Sequence, residues 1–168
     1  ILAAAVLNNS FSVTWYDGVA LISDSHPLTK SSSLGDNNLG TTALDTAGLT
    51  AGTLLMRKTV DETGIIIGAR AKKLVVPADL EFTAAVLLQS SQKPGSDYND
   101  QNIYKGKFDL KVLDYLTDAN AGWLIDPELA ELIFWWRIRP EFNRDKNFDT
   151  MIAKFIGYLR FSCGYSNW

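Results

Sequence analysis

Apolar and polar positions in this chain change period from block to block. The blocks predict an α+β fold of about three helices and a mixed or antiparallel sheet. Residues 1–9 read as the end of a helix, favoured by Ala3, Ala4 and Ala5 and stopped by Asn8 and Asn9. Tyr16, Asp17 and Gly18 signal a turn into a short strand over residues 19–22. Residues 23–41 are rich in Ser, Gly, Asn and Asp and predict an exposed loop. Asp45 is placed to cap a helix over residues 46–60, with Leu49, Met56 and Val60 near one face. Gly48 and Gly52 each weaken that helix by roughly 1 kcal/mol relative to alanine. Packing must therefore hold it, and Gly52 marks a place where a neighbour can approach closely.

Ile65, Ile66 and Ile67, and then residues 73–76, read as buried strand material. Pro77 opens the next helix, where its missing N–H would lack a partner anyway. Leu80, Ala84, Leu87 and Leu88 give that helix a continuous apolar face. Residues 92–106 form a polar loop with Pro94, Gly95 and Gly106, long enough to predict an exposed contact loop. Phe108, Leu110 and Val112 alternate with Asp109 and Lys111, the pattern of a half-buried strand. Residues 123–125 and 132–138 predict further strands. In the apolar segment 151–163, the alternation of Ile152, Lys154, Ile156, Tyr158 and Arg160 favours a strand over a helix.

At 168 residues and 46% apolar content, one domain, or one domain with a small appendage, has ample material for a core. The net charge of -3 gives no long-range attraction to nucleic acid. The single cysteine, Cys163, excludes an intramolecular disulfide and fits a reducing compartment. No apolar run reaches the ~18–20 residues of a membrane-spanning helix. The apolar start lacks a basic flank and a cleavage site, so no signal peptide is read. With no initiator Met and an opening that looks like the inside of a helix, the chain is expected to be a fragment of a longer product.

No residue cluster is suited to catalysis, and neither a catalytic, a cofactor-binding nor a metal site is assigned. A hydrolase would pair His26 with Ser25 and let Asp24 orient the ring, yet such partners usually come from different elements. A histidine anchoring its loop through hydrogen bonds is the favoured reading. Asp97, Asn99, Asp100 and Asn102 lack the spacing of a calcium loop and read as a solvated turn. Cys163 reads as a buried, inert thiol. Gly35 and Gly40 precede a helix without a phosphate-binding motif. Trp135, Trp136 and Arg137 are adjacent on a strand, so one tryptophan is expected inside and the other against another sheet, helix or subunit.

The order of these cues resembles the major capsid proteins of tailed bacteriophages, and most closely the Mu-type head subunit. The resemblance is carried by Leu2 to Asn9, then Asp17-Gly18-Val19-Ala20-Leu21 and His26-Pro27-Leu28. Asn38-Leu39-Gly40, Ala43-Leu44 and the helix with Leu49 and Met56 follow. Gly64, Lys73 to Pro77 with Leu80, Ala84 and Ala85, Trp123-Leu124, and Phe148-Asp149 to Tyr165-Ser166-Asn167-Trp168 complete it. Each motif is short, and the weight lies in their order.

The resemblance implies a capsid shell fold. Residues 1–40 would be the end of the spine helix and the connecting loop of the peripheral region. Residues 41–130 would be mainly the axial region, and residues 131–168 the return strands of the peripheral region. An N-terminal arm and a protruding hairpin would lie upstream of Ile1. The implied function is structural and without enzymatic activity or cofactor. Copies of the subunit form pentamers and hexamers that close into an icosahedral shell around double-stranded DNA. Scaffold, portal and decoration proteins would be further partners, with assembly in the host cytoplasm and the virion as final location. Encapsulins, which enclose protein cargo with the same shell fold, are the nearest alternative. A small soluble hydrolase and a monomeric ligand-binding domain are the other two.

Overall fold

Leu74, Val75 and Val76 are all buried, and their burial on both sides of one short strand organises most of the molecule. The computed structural model describes residues 2–14, 18–28, 35–98, 100–130, 132–146 and 149–165. The elements run α1 (Leu2–Asn8), β1 (His26–Pro27), β2 (Gly35–Asp36), α2 (Thr46–Lys58) and β3 (Lys73–Val76). A 3-10 turn (Ala78–Leu80) leads into α3 (Glu81–Gln89), followed by β4 (Asp109–Val112), β5 (Trp123–Ile125), β6 (Leu132–Lys146) and β7 (Ala153–Tyr165). The fold is α+β. Its two compact units lie within Ile1–Ala130 and within Glu131–Ser166.

In the first unit β3 is the middle strand of a mixed sheet, parallel to β4 and antiparallel to β5. Successive strand residues face opposite sides, so β3 serves two cores. Leu74 and Val76 pack with Leu49 of α2, with Ala84, Leu87 and Leu88 of α3, and with Tyr104 and Phe108. Val75 packs with Leu7 of α1 and with Trp123. Helices on both faces explain why β3 is an unbroken apolar run rather than an alternating one.

Asp45 caps α2 by accepting the Gly48 N–H at 2.6 Å. Pro77, expected to open the helix, instead stands in extended backbone just before the 3-10 turn that leads into α3. Residues 90–106 are not a passive loop. Buried Asn102 donates to the Leu87 and Ser90 carbonyls and accepts the Tyr104 N–H, pinning the loop against the end of α3.

Several expectations are corrected. Residues 19–22 form no strand; Ala20 makes a single bridge to Thr14. Tyr16 and Asp17 lie outside the described residues. Part of the loop at 23–41 is ordered by the β1–β2 pair, which buries His26. Ile65, Ile66 and Ile67 are exposed, at 67%, 62% and 48%. They sit in a small turn closed by the Asp61–Ile65 and Ile67–Thr59 backbone bonds. A triple isoleucine reads as core in sequence, but here the Asp61 carboxylate folds the chain into a tight turn, and strand pairing is limited to one bridge between Val60 and Ile66. It accepts the Thr63 and Ile65 N–H groups at 2.8 Å each.

The second unit is a long antiparallel hairpin of β6 and β7. β6 carries two register shifts, between Trp136 and Ile138 and between Ile138 and Glu141. The second spans Pro140, which lacks the N–H a regular ladder would use. Among the described residues that join the strands, Met151 adopts a φ of 54°, a left-handed position that glycine fills more readily.

Candidate interaction surface

Residues directly opposite one another in an antiparallel pair point to the same face. Both extra residues lie in β6, so β7 alternates without interruption and defines the faces. One face carries Phe155, Leu159 and Phe161 of β7 with Phe134, Trp136 and Phe142 of β6, and Cys163 beside them. Arg144 and Lys146 share this face near the turn. The other face carries Lys154, Tyr158, Arg160 and Ser162 with Glu141, Asn143 and Asp145, among Trp135, Ile138 and Ile156. The alternation that predicts β7 from sequence thus sorts one largely apolar face from one largely polar face.

The apolar face has its own internal order. Phe134 meets Trp136 edge-on at 4.8 Å between ring centroids, and Phe161 lies 5.3 Å from Phe134 and 6.1 Å from Trp136. Such offset and edge-to-face contacts suit the ring quadrupoles. Nearer the turn, the Phe142 ring lies over Gly157, where a Cβ would come 3.0 Å from it. On the polar face the Tyr158 hydroxyl donates to Glu141 Oε2 at 2.6 Å. That bond and the carboxylate's charge raise the Tyr158 pKa above its ordinary value. Asp145 stands directly opposite Lys154.

This arrangement leaves large apolar side chains uncovered in the unit that bears them. Phe142 is 85% exposed and Phe155 78%, and Trp136, Leu159 and Phe161 are all more than two-fifths exposed. An isolated two-stranded hairpin is marginal in water, and a continuous exposed apolar patch marks an interaction site. Neither tryptophan is inside a core, against the expectation for one of them. They occupy opposite faces, Trp136 in the aromatic cluster and Trp135 67% exposed. Leu132 to Ile138 was legible as a strand, but nothing in the sequence marks its continuation through Pro140 to Lys146.

The candidate chemical residues are placed as structural groups. His26 is buried with Nε2 3.1 Å from the Leu21 carbonyl, which also accepts from Asn38 Nδ2 at 2.8 Å. Ser25 and Asp24 are exposed, and the Ser25 N–H donates to Ser23 Oγ. Asp100 accepts from the Ser96 hydroxyl, and Asn99 lies outside the described residues. Gly35 pairs with Pro27, while the N-terminus of α2 is occupied by the chain's own Asp45. Cys163 is half-buried on the apolar face of the hairpin. Among the described residues no group of three or more His, Cys, Asp or Glu side chains is gathered to hold a metal ion. Nor is any helix among them long and apolar enough to cross a membrane.

A family model described as Phage capsid protein matches residues 1–168. Comparisons with curated proteins and with solved structures gave no match.

Proposed function

Because this chain belongs to the phage capsid protein family, we propose that it is the major head subunit of a tailed phage or prophage, of the Mu type its sequence resembles. Copies of it would assemble through pentamers and hexamers into an icosahedral shell enclosing double-stranded DNA. The observation that supports assembly is the uncovered apolar face of the β6–β7 hairpin. Burying one large apolar side chain contributes about 1.5–3 kcal/mol, whereas association costs about 4–15 kcal/mol in lost freedom. A single side chain cannot drive association on that scale. A face with Phe134, Trp136, Phe142, Phe155, Leu159 and Phe161 can.

In this reading residues 1–40 close the spine helix and its connection, residues 41–130 form mainly the axial region, and residues 131–168 return to the peripheral region. The subunit is assembled in the host cytoplasm, with scaffold, portal or decoration proteins as further partners, and ends in the virion. Its net charge of -3 suits an inner surface that holds DNA weakly, so that the genome slides.

Negative-stain electron microscopy of the gene's full product, with residues 1–168 run beside it, tests the proposal. Closed shells with double-stranded DNA support it. Monodisperse monomers from both, with a scaffold protein supplied, overturn it. Shells filled with protein cargo instead of DNA would assign the chain to an encapsulin-type compartment.

A further inference from the structure

An open groove on the first unit and the turn end of the hairpin carry opposite charges around the same kind of apolar centre. At the turn end, Phe142 and Phe155 stand on the apolar face beside Arg144 and Lys146. The groove is lined by Leu44, Phe82, Val86, Leu87 and Pro94, with Phe82 79% and Val86 54% exposed. Asp45 lines it too, and Asp79 and Glu81 lie in the turns just before Phe82. The same split runs through the whole sequence. Residues 1–130 hold 10 Lys and Arg against 15 Asp and Glu, a net of -5, while residues 131–168 hold 6 against 4, a net of +2.

We infer that the hairpin end of one copy docks in the Phe82–Val86 groove of a second copy. Phe142 and Phe155 enter the groove, and Arg144 and Lys146 face its acidic side. This rests on the self-assembly reading and gives it a specific pair of surfaces. The contact joins two different patches, so it is heterologous, the kind that closes into rings when copies are related by rotation. Its composition, aromatic residues at the centre with charges around them, is that of interface anchors.

Cysteine pairing tests the inference on the full chain. A tagged Val86→Cys chain is mixed with an untagged Ala153→Cys chain, Ala153 being exposed on the same face as Phe155, both carrying Cys163→Ser, and treated with a short bis-maleimide. Both substituted sites are exposed, so folding is not at stake. The expected result is a heterodimer band at least tenfold stronger than either chain gives alone. It is lost in Arg144→Glu/Lys146→Glu and recovered when the partner carries Asp79→Lys/Glu81→Lys. No heterodimer from assembled particles overturns the docking and leaves the shell reading standing. A heterodimer without particles supports the docking and removes the shell. A Val86→Cys/Ala153→Cys chain that links only within itself overturns the docking by showing that the groove is filled in cis.

Discussion

Gly52 of α2 lies against Leu124 of β5 so closely that a Cβ at Gly52 would stand 2.8 Å from Leu124 Cδ1. Gly48, one turn earlier, is closed in by backbone instead, because its Cβ would run into the Ala43 carbonyl oxygen. The two helix glycines, alike in sequence, should therefore respond differently. Gly52→Ala gains about 1 kcal/mol of helix propensity and displaces only a side-chain tip, so its melting temperature should stay close to that of the parent. Gly52→Val overpacks the contact and should cost about 1–3 kcal/mol. Gly48→Ala should destabilise despite its helix gain, because a carbonyl in the capping turn cannot step aside. Thermal unfolding followed by circular dichroism separates the three.

Asn102 should be the most sensitive polar side chain in the loop between α3 and β4. Asn102→Ala removes both donors to the Leu87 and Ser90 carbonyls and the acceptor for the Tyr104 N–H. Leaving buried backbone groups unpaired costs about 1–3 kcal/mol each. The expected outcome is a loss of at least 2 kcal/mol in urea unfolding, with faster amide exchange at Tyr104. A loss below 0.5 kcal/mol, the ordinary range for surface substitutions, would show that the loop is held by other contacts.

Elements with a single strong period were legible in the sequence. The cap at Asp45, the helix after Pro77, the alternation in β7 and the close approach at Gly52 all follow from local chemistry. The misreadings share a cause. Ile65, Ile66 and Ile67 carry high strand propensity, but a tight turn organised by one carboxylate overrides it. The length of β6 was hidden by Arg137, Arg139 and Pro140, which break the alternation where the bulges fall. Trp135 and Trp136 sit on opposite faces, as adjacent strand residues must. Alternation, however, cannot show whether either face is covered, and that depends on contacts beyond the hairpin.

The Asp61 turn should loosen in acid. Its carboxylate accepts from the Thr63 hydroxyl and from the Ile65 N–H, and these bonds hold its pKa below the ordinary value of 3.8. A lowered pKa means that the bonds stabilise the fold above pH 3.8. That contribution fades as pH falls through the lower, folded value. Amide protection at Ile65 should drop in that window and be insensitive to pH in Asp61→Ala. Protection unchanged down to full protonation of Asp61 would mean that the backbone bonds alone hold the turn.

Assembly should depend on which hairpin face is altered. Phe161 and Ile156 lie on opposite faces of β7 and are similarly exposed, at 43% and 55%. Each substitution to serine removes an apolar side chain of comparable accessibility, so loss of strand propensity is common to both. Phe161→Ser also removes the ring that contacts Phe134 and Trp136 and interrupts the apolar face at its aromatic cluster. Ile156→Ser leaves that face intact and makes the polar one more polar. If the apolar face joins copies, Phe161→Ser should raise the protein concentration needed for assembly at least tenfold, with Ile156→Ser within twofold of the parent by light scattering. A tenfold change equals about 1.4 kcal/mol per contact, within the range of burying one such side chain. Equal effects from both variants would locate the contact elsewhere on the subunit.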